Sequence, residues 1–269
     1  LLAQSIWSFM VIFTLAGRTE TQLTNADLEA GARAWWGNRA DDADARLLAR
    51  YDLRTIAPGA PLTLTASMWW EIESDYDFGY VMGSADGNQW RILPGQHTAV
   101  SPSGNGIGPG YTGRSAGLSS ADGSESNAVW IEETFDLSDF AGGELWLQFR
   151  YITDDGVNAS GWLVDNVQLA GATGSINAIG AEANEDGGWQ SEGWLLTDNL
   201  LPQRWLLQVM EFEGEKLAAV RNVPVDEQGR AEVEVASLGD GRRAVVAISG
   251  LSPVTTLAAQ YEYSIRRKE

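Results

Sequence analysis

Clustered carboxylates are the side chains of this chain whose types and spacing could support chemistry. Five of them fall in two short segments, an acidic corner with the sequence ESDYD and an upstream loop: Asp75, Asp77, Asp41, Asp42 and Asp44. Ca²⁺ takes six to eight oxygen ligands, which loops at the edge of a β-sandwich can supply. The sequence therefore predicts a structural Ca²⁺ site that uses some of these groups, while solvated turn residues are the simpler explanation of the same pattern.

Asp165 is a further candidate ligand because of its neighbours on a predicted strand. In Gly161–Leu169 the side chains of Leu163, Val167 and Leu169 share one face, and Asp165 lies among them. An ionised carboxylate on an apolar face is costly unless it is hydrogen-bonded, paired or bound to a cation. We therefore expect Asp165 either to bind the cation or to accept hydrogen bonds from backbone N–H groups.

The chain has one histidine, His97, and no cysteine, which excludes several kinds of site. It cannot form a disulfide, a thiolate metal site or the two-histidine H-E-x-x-H helix of zinc peptidases. A carboxylate dyad of the glycosidase type could be drawn from Glu71, Glu73, Asp75 and Asp77, but any acidic chain offers such pairs. We predict no catalytic residue, and keep a carboxylate-dependent hydrolase as a third hypothesis.

The aromatic side chains suggest a different kind of site. Trp69, Trp146 and Trp162 lie opposite the faces that we assign to the core, and Tyr111 lies in a long Gly- and Ser-rich loop, Gln96–Asn127. A loop of that length is functional or mobile. We name Trp69, Trp146 and Tyr111 as candidate ligand-binding residues, since exposed rings can stack on sugars. The alternative is that a second layer or a neighbouring domain covers them.

The segment SADGNQW at residues 84–90 resembles an Asp-box, a β-hairpin turn pattern, although it is one residue shorter than the usual form. In such a turn the Asp accepts backbone N–H bonds and the Trp packs beside it. We therefore predict that Asp86 and Trp90 fix the geometry of a turn, and we assign this segment no function.

Strands must position these side chains. Apolar residues alternate with mostly polar ones from Leu62 to Ile72, a period of two that is typical of a half-buried strand. Similar short runs, separated by turn signals such as Asp86-Gly87, recur along the chain. The best candidate for a helix is one short segment, Thr24–Arg33. The pattern predicts an all-β protein.

Length and composition favour two domains. A chain of 269 residues can bury two cores, and Gly171–Gly188 has the composition of a linker. We predict a β-sandwich over residues 1–172, a linker over residues 173–188 and a smaller Ig-like β-sandwich over residues 189–269. The most apolar run, Ile6–Ala16, is too short to span a membrane as a helix and fits a buried strand or the core of a signal peptide.

Several segments together resemble a known family: AWWGNRADDADARL, WWEIESDYDFGYVMGSADGNQW and FDLSDFAGGELWLQFRYITDDGVNASGWLVDNV. They are similar to the C-terminal region of secreted bacterial immune inhibitor A-type metallopeptidases. GWQSEGWLLTDNLLPQRWLLQV and SPVTTLAAQYEYSI are similar to the end of that region. The resemblance implies a jelly-roll sandwich like the MAM domains of animal cell-surface proteins, followed by a terminal β-domain.

The resemblance also carries expectations about function. The family's peptidases hold zinc in a separate catalytic domain, and the zinc-binding helix of that domain has no counterpart here. The resemblance therefore implies a non-catalytic accessory region that stabilises the enzyme, binds structural Ca²⁺ or contacts a surface. The alternative is a free-standing lectin-like module for carbohydrate or protein. We expect a secreted monomer whose partner is the peptidase's catalytic domain or a protein or glycan surface. With a net charge of −19, we expect no nucleic-acid partner and no membrane insertion.

Overall fold

The computed structural model describes residues 9–29, 32–115, 128–179, 186–239, 241–255 and 257–268. Within them the chain forms 19 β-strands and one 3₁₀ turn, Ser138–Phe140. The strands are β1 Phe9–Gly17, β2 Glu20–Gln22, β3 Ala34–Trp36, β4 Asp44–Asp52, β5 Leu62–Glu71, β6 Phe78–Ser84, β7 Arg91–Ile92, β8 Ile131–Asp136, β9 Glu144–Ile152, β10 Gly161–Gly171, β11 Gly174–Ile176, β12 Gln190–Glu192, β13 Leu195–Thr197, β14 Leu200–Pro202, β15 Trp205–Glu213, β16 Lys216–Val223, β17 Arg230–Leu238, β18 Arg242–Gly250 and β19 Tyr261–Arg267. The predicted all-β fold is confirmed.

The chain divides into two compact units. One, here the inserted unit, is continuous from Thr24 to Asn199. The other, here the split unit, combines the described residues up to Leu23 with those from Leu200 onward. The division differs from the domains expected at residues 1–172 and 189–269, because β1 belongs to the split unit whereas β12 and β13 belong to the inserted one.

The inserted unit is a sandwich of two antiparallel sheets. One has the order β13-β3-β10-β5-β8, with β11 beside β10, and the other has the order β12-β4-β9-β6-β7. The alternation read from Leu62 onward places Leu62, Leu64, Ala66 and Met68 in the buried core between the sheets. Burying a Leu or Met side chain contributes about 1.5–3 kcal/mol. The described part of the expected linker also belongs here, since β11 pairs with β10 and the N–H of Ile179 donates to the carbonyl of Arg50.

The split unit has its own core between two three-stranded sheets, β17-β1-β19 and β16-β15-β18. Phe13 and Leu15 of β1 pack in a cluster with Leu207 and Val209 of β15. The expectation that the apolar start is a buried strand is met from Phe9 onward, and residues 6–8 of that run lie outside the described residues. An apolar strand fits any sheet, so the sequence did not show that the partners of β1 are β17 and β19, near the other end of the chain.

The two ends of the inserted unit are joined by one side chain. The amide oxygen of Asn199 accepts hydrogen bonds from the backbone N–H and Oγ1 of Thr24, at 2.9 and 3.0 Å, and its amide nitrogen donates to the carbonyls of Thr24 and Ala26. These bonds hold the backbone in a non-helical form, so the short helix predicted at Thr24–Arg33 is wrong for the described residues of that segment. Directly beyond this junction, β2 and β14 pair, with Gln22 opposite Leu200.

The long loop that begins at Gln96 is tied to the sandwich through its described part. The backbone N–H groups of Gln96 and His97 donate to the buried carboxylate of Glu133, and Tyr111 bridges to Gly79 of β6. Residues 116–127 of the loop lie outside the described residues. Up to residue 115 the loop is therefore part of the folded inserted unit, and its Tyr111 reaches the core.

Candidate metal centre

Strand register brings a distant carboxylate, that of Asp154, beside two carboxylates of one turn, those of Glu73 and Asp77. The turn after β5 carries Glu73 and ends at Asp77, immediately before β6 begins at Phe78. In the sheet Phe78 pairs with Ile152, the last residue of β9. Asp154, two residues beyond Ile152, must therefore lie beside Asp77.

The three carboxylates Glu73, Asp77 and Asp154 form one compact cluster, here the acidic cluster. One oxygen from each lies within 4.8 Å of the others, and Asp77 is fully buried while Glu73 and Asp154 are half-buried. Oδ1 of Asp77 accepts the backbone N–H of Asp154 at 3.1 Å, and the hydroxyl of Tyr151 lies 3.4 Å from Oδ2. Among the residues that the structure describes, no Lys or Arg forms an ion pair with the cluster.

The electrostatics of the cluster oppose its own ionisation. The pKa of Asp77 is raised to about 6, mainly by burial and to a smaller extent by the nearby carboxylates of Asp154 and Glu73, against the lowering effect of hydrogen bonds such as that from the Asp154 N–H. The pKa of Glu73 is also raised, by burial and then by Asp154. Burial and Asp77 together raise the pKa of the Tyr151 hydroxyl. The site thus concentrates negative charge in a poorly solvated place.

This arrangement could hold a metal ion. Two oxygens that share one Ca²⁺, each at 2.3–2.6 Å, can be up to about 5 Å apart, so the spacing of the acidic cluster is compatible with a common ion. All three ligands are carboxylates, which suit hard cations rather than soft transition metals. A cation here would also neutralise the charge that burial disfavours.

The loop that contains Asp41 and Asp42 leads into β4 at Asp44 and lies beside the cluster without contributing a carboxylate to it. The backbone N–H of Asp42 donates to the carbonyl of Asp154 at 2.6 Å. Asp44 is paired with Arg150, at 2.7 and 2.9 Å, and the two Arg side chains at positions 150 and 46 hold its pKa below the usual value. Asp41 accepts a hydrogen bond from the amide of Asn158.

Asp75 and Asp165 are each engaged elsewhere. The carboxylate of Asp75 accepts hydrogen bonds from the hydroxyls of Ser101 and Ser103, which lower its pKa. Asp165 lies at a β-bulge where the pairing with β5 shifts by one residue, and Oδ1 accepts the N–H of Asn166 at 2.7 Å. Asn166 has φ 49°. The bulge breaks the alternation that had put Asp165 on an apolar face, and the expected hydrogen bond from a backbone N–H is present. Cation binding by Asp165 stays a prediction.

Of the metal ligands predicted from the sequence, Asp77 alone lies in the acidic cluster, and its two partners Glu73 and Asp154 are not among the predicted ligands. The missing signal was strand pairing: Asp77 precedes β6 and Asp154 follows β9, but nothing in the sequence shows that these strands are neighbours. Pairing the two runs FGYVMGS and ELWLQFRYI in antiparallel register would have found the cluster.

The candidate ligand-binding aromatics are mostly inaccessible. Trp69 is 1% exposed and Tyr111 is fully buried, as is Trp162. Nε1 of Trp69 donates to the carbonyl of Ala128, which belongs to the segment over that face of β5. The expected exposure of these rings is therefore wrong, because Tyr111 and Trp162 pack against each other in the core and Trp69 is held by the carbonyl of Ala128. Trp146 is half-buried beneath the guanidinium of Arg50, 4.1 Å from its ring centroid.

The Asp-box turn forms as the sequence predicts. Oδ1 of Asp86 accepts the backbone N–H groups of Asn88 and Gln89, both at 2.8 Å. Nε1 of Trp90 donates to the carbonyl of Gly87 at 3.1 Å. These contacts explain the residue pattern by turn geometry alone.

Comparisons with known proteins agree with this architecture. The family described as "Immune inhibitor A-like, MAM domain" matches residues 5–196. The chain is 31% identical over 140 residues to the pre-pro-metalloprotease PrtV of Vibrio cholerae, covering 52% of this chain and 13% of that protein. It is 32% identical over 100 residues to immune inhibitor A of Bacillus thuringiensis, covering 37% and 12% respectively.

The chain thus spans about an eighth of the length of the curated relatives that it matches. In the part that the structure describes, no helix has the length and apolar character needed to cross a membrane. The family match extends over well more than half of the chain and includes the whole of both sheets of the inserted unit, apart from the last residue of β13. This chain belongs to the immune inhibitor A-like MAM domain family.

Proposed function

We propose that this chain is a non-catalytic accessory region of a secreted metallopeptidase, and that the acidic cluster holds a structural Ca²⁺. The observation that carries the metal site is the full burial of Asp77 between two further carboxylates with no Lys or Arg paired to any of them in the described residues. The accessory role is supported by the family and by the named metalloprotease relatives.

The choice of Ca²⁺ follows from the ligands and their surroundings. Carboxylate oxygens suit Ca²⁺ and Mg²⁺, but Mg²⁺ requires near-ideal octahedral geometry at 2.0–2.1 Å. The acidic cluster supplies one fully buried group and two half-buried ones, which leaves room for carbonyl and water ligands of a larger, more adaptable ion. A divalent ion among the three carboxylates would also offset the burial and the mutual repulsion that together raise the pKa of Asp77.

The proposed ion would stabilise the edge of the sandwich where three loops meet. Glu73 and Asp77 belong to the β5–β6 turn and Asp154 to the segment after β9. That segment also binds the loop before β4, since the N–H of Thr153 donates to the carbonyl of Ala43 and that of Asp42 to the carbonyl of Asp154. Binding of Ca²⁺ to the folded form alone would stabilise the fold by mass action.

The accessory role follows from what the chain can and cannot supply. One histidine cannot build the zinc helix of a peptidase, and the matched relatives are about eight times longer than the matched segment. Catalysis would then belong to another part of a longer polypeptide, to which this region is attached. The lectin-like alternative loses support because Trp69 and Tyr111 are buried; a binding role for Trp146 stays a prediction.

The test uses the native polypeptide that contains this chain. Mapping the reading frame upstream of Leu1 should find a peptidase domain, and a frame without one would overturn the accessory role. In that enzyme Asp77→Asn should leave the initial rate of peptide hydrolysis unchanged and shorten the half-life at elevated temperature in Ca²⁺. Asp41→Asn is the matched control and should change neither. A folded Asp77→Asn enzyme with a reduced initial rate would contradict a non-catalytic role.

A further inference from the structure

One edge of strand β19 has no partner strand among the described residues. Strand β19 lies at the end of the β17-β1-β19 sheet and pairs only with β1 among the described residues. The N–H of Lys268 donates to the carbonyl of Met10, and the carbonyl of Gln260 accepts from Arg18. Because both residues are even-numbered and the register with β1 is unbroken, the odd-numbered residues of β19 direct their N–H and C=O groups to the open edge.

Three of the odd-numbered residues of β19 carry large apolar side chains that remain exposed. Tyr261, Tyr263 and Ile265 are 43%, 60% and 60% exposed. They lie on the core side of the sheet, where Tyr263 stacks on Phe13 at 5.7 Å between ring centroids. A free edge combined with a row of exposed apolar side chains is the feature that sheets normally cover or protect.

We propose that β19 pairs with β19 of a second copy of this chain, antiparallel about a two-fold axis through Ser264. Ser264 is the middle residue of the strand Tyr261–Arg267, so this register alone uses the full length of both strands. It places Glu262 opposite Arg266 of the other copy, and Tyr263 opposite Ile265. The two three-stranded sheets would become one continuous six-stranded sheet.

The charges and side chains of β19 complement themselves in this register. Glu262 forms no ion pair among the described residues. Arg266 has only a long ion pair, 3.5 Å from its guanidinium nitrogen to a carboxylate oxygen of Glu232. Opposite charges in cross-strand pairs stabilise a sheet, as do aromatic side chains opposite β-branched ones. Each of these pairs occurs twice by symmetry, as an isologous interface requires. The dimer departs from the monomer expected from the sequence.

Backbone geometry assigns each pair its type. Tyr263 and Ile265 point their N–H and C=O groups outward, so they form hydrogen-bonded pairs across the axis. Ser264 points its groups to β1, so the two Ser264 residues form a non-hydrogen-bonded pair, in which Cα atoms are about 4.5 Å apart. That distance lies within the range of a disulfide, about 4.4–6.8 Å.

The chain contains no cysteine, so a single introduced Cys reports this contact without background. Under mild oxidation, Ser264→Cys should form a disulfide-linked dimer at least about ten-fold faster than Val220→Cys, because pairing raises the effective concentration of the thiol to the millimolar range. Val220 is a matched control, since it is 51% exposed on β16, which is also an edge strand. Equal rates for the two variants would overturn the proposal.

A charge exchange tests the register itself. In the Ser264→Cys background, Glu262→Arg and Arg266→Glu should each slow dimer formation by placing like charges opposite one another, and the double exchange should restore it. Light scattering of the wild-type chain should show a mass that rises towards twice the monomer value with concentration. A constant monomer mass, or a double exchange as slow as either single one, would refute pairing through β19.

Discussion

The backbone N–H of Asp154 donates a 3.1 Å hydrogen bond to Oδ1 of Asp77, across 77 positions of sequence. Asp77 immediately precedes β6 and Asp154 follows the end of β9, so the antiparallel register of these two strands creates the contact. The same register brings Glu73 to the site and leaves one fully buried carboxylate without a paired Lys or Arg in the described residues. The stability of this edge of the sandwich should therefore depend on pH and on the binding of a cation.

In the presence of a chelator, the stability of the inserted unit should fall as the pH rises from about 4 to 6. Burial raises the pKa of Asp77 from 3.8 to about 6 in the folded chain, so the folded state holds a proton that the unfolded state has lost. The contribution is full below pH 3.8 and is lost as the pH passes 6, on the order of 2 kcal/mol in total. Urea unfolding followed by Trp fluorescence at several pH values measures it.

The matched comparison for this pH effect is Asp77→Asn, which cannot ionise. The difference between the wild-type and variant stability curves isolates the Asp77 carboxyl from all other titrations, including that of Asp44, whose pKa is lowered. The difference should change sharply between pH 4 and 6. A difference that is constant across this range would show that Asp77 ionises normally.

How far the sequence predicts this structure depends on how local each feature is. The alternation in Leu62–Ile72 and the run Phe78–Ser84 gave the strands β5 and β6 almost to the residue, because side-chain periodicity is a local property. Strand partners are not local, so the place of β1 in the split unit, and of Asp154 beside Asp77, escaped sequence reasoning. The predicted exposure of Trp69 is wrong for the same reason, because its indole N–H bonds to Ala128, a residue 59 positions away in the sequence.

Replacing Asn199 should lower the free energy of unfolding of the inserted unit by more than a typical surface substitution does. Asn199 has φ 63° and its buried amide bonds three backbone groups and one hydroxyl at the start of the unit. Asn199→Gly keeps the backbone conformation accessible and removes those bonds, which should cost about 2–3 kcal/mol. Urea titration monitored by Trp fluorescence gives the value, with the exposed Asn222→Ala as control, expected within about 0.5 kcal/mol of wild type. Equal stability of the two variants would show that Asn199 does not hold the ends together.

The split unit should fold without the inserted one. Gln22 and Leu200 are paired in adjacent strands, so a short Gly-containing turn can replace residues 24–199. Circular dichroism should show β-structure with a cooperative thermal transition. The same shortened chain without residues 1–17 lacks β1, the central strand of one sheet, and should not unfold cooperatively. Loss of structure in the first variant, with β1 present, would contradict the division into two units.

The most direct test of the account is calorimetric titration of the metal-free chain with Ca²⁺, together with its thermal unfolding. Wild type should bind Ca²⁺, and its melting temperature should be higher in Ca²⁺ than in chelator. Asp77→Asn should lose both responses, whereas Asp44→Asn should keep them, because Asp44 is paired with Arg150. If wild type shows no heat of binding and no shift in melting temperature, or if Asp77→Asn responds as wild type does, the acidic cluster is not a Ca²⁺ site.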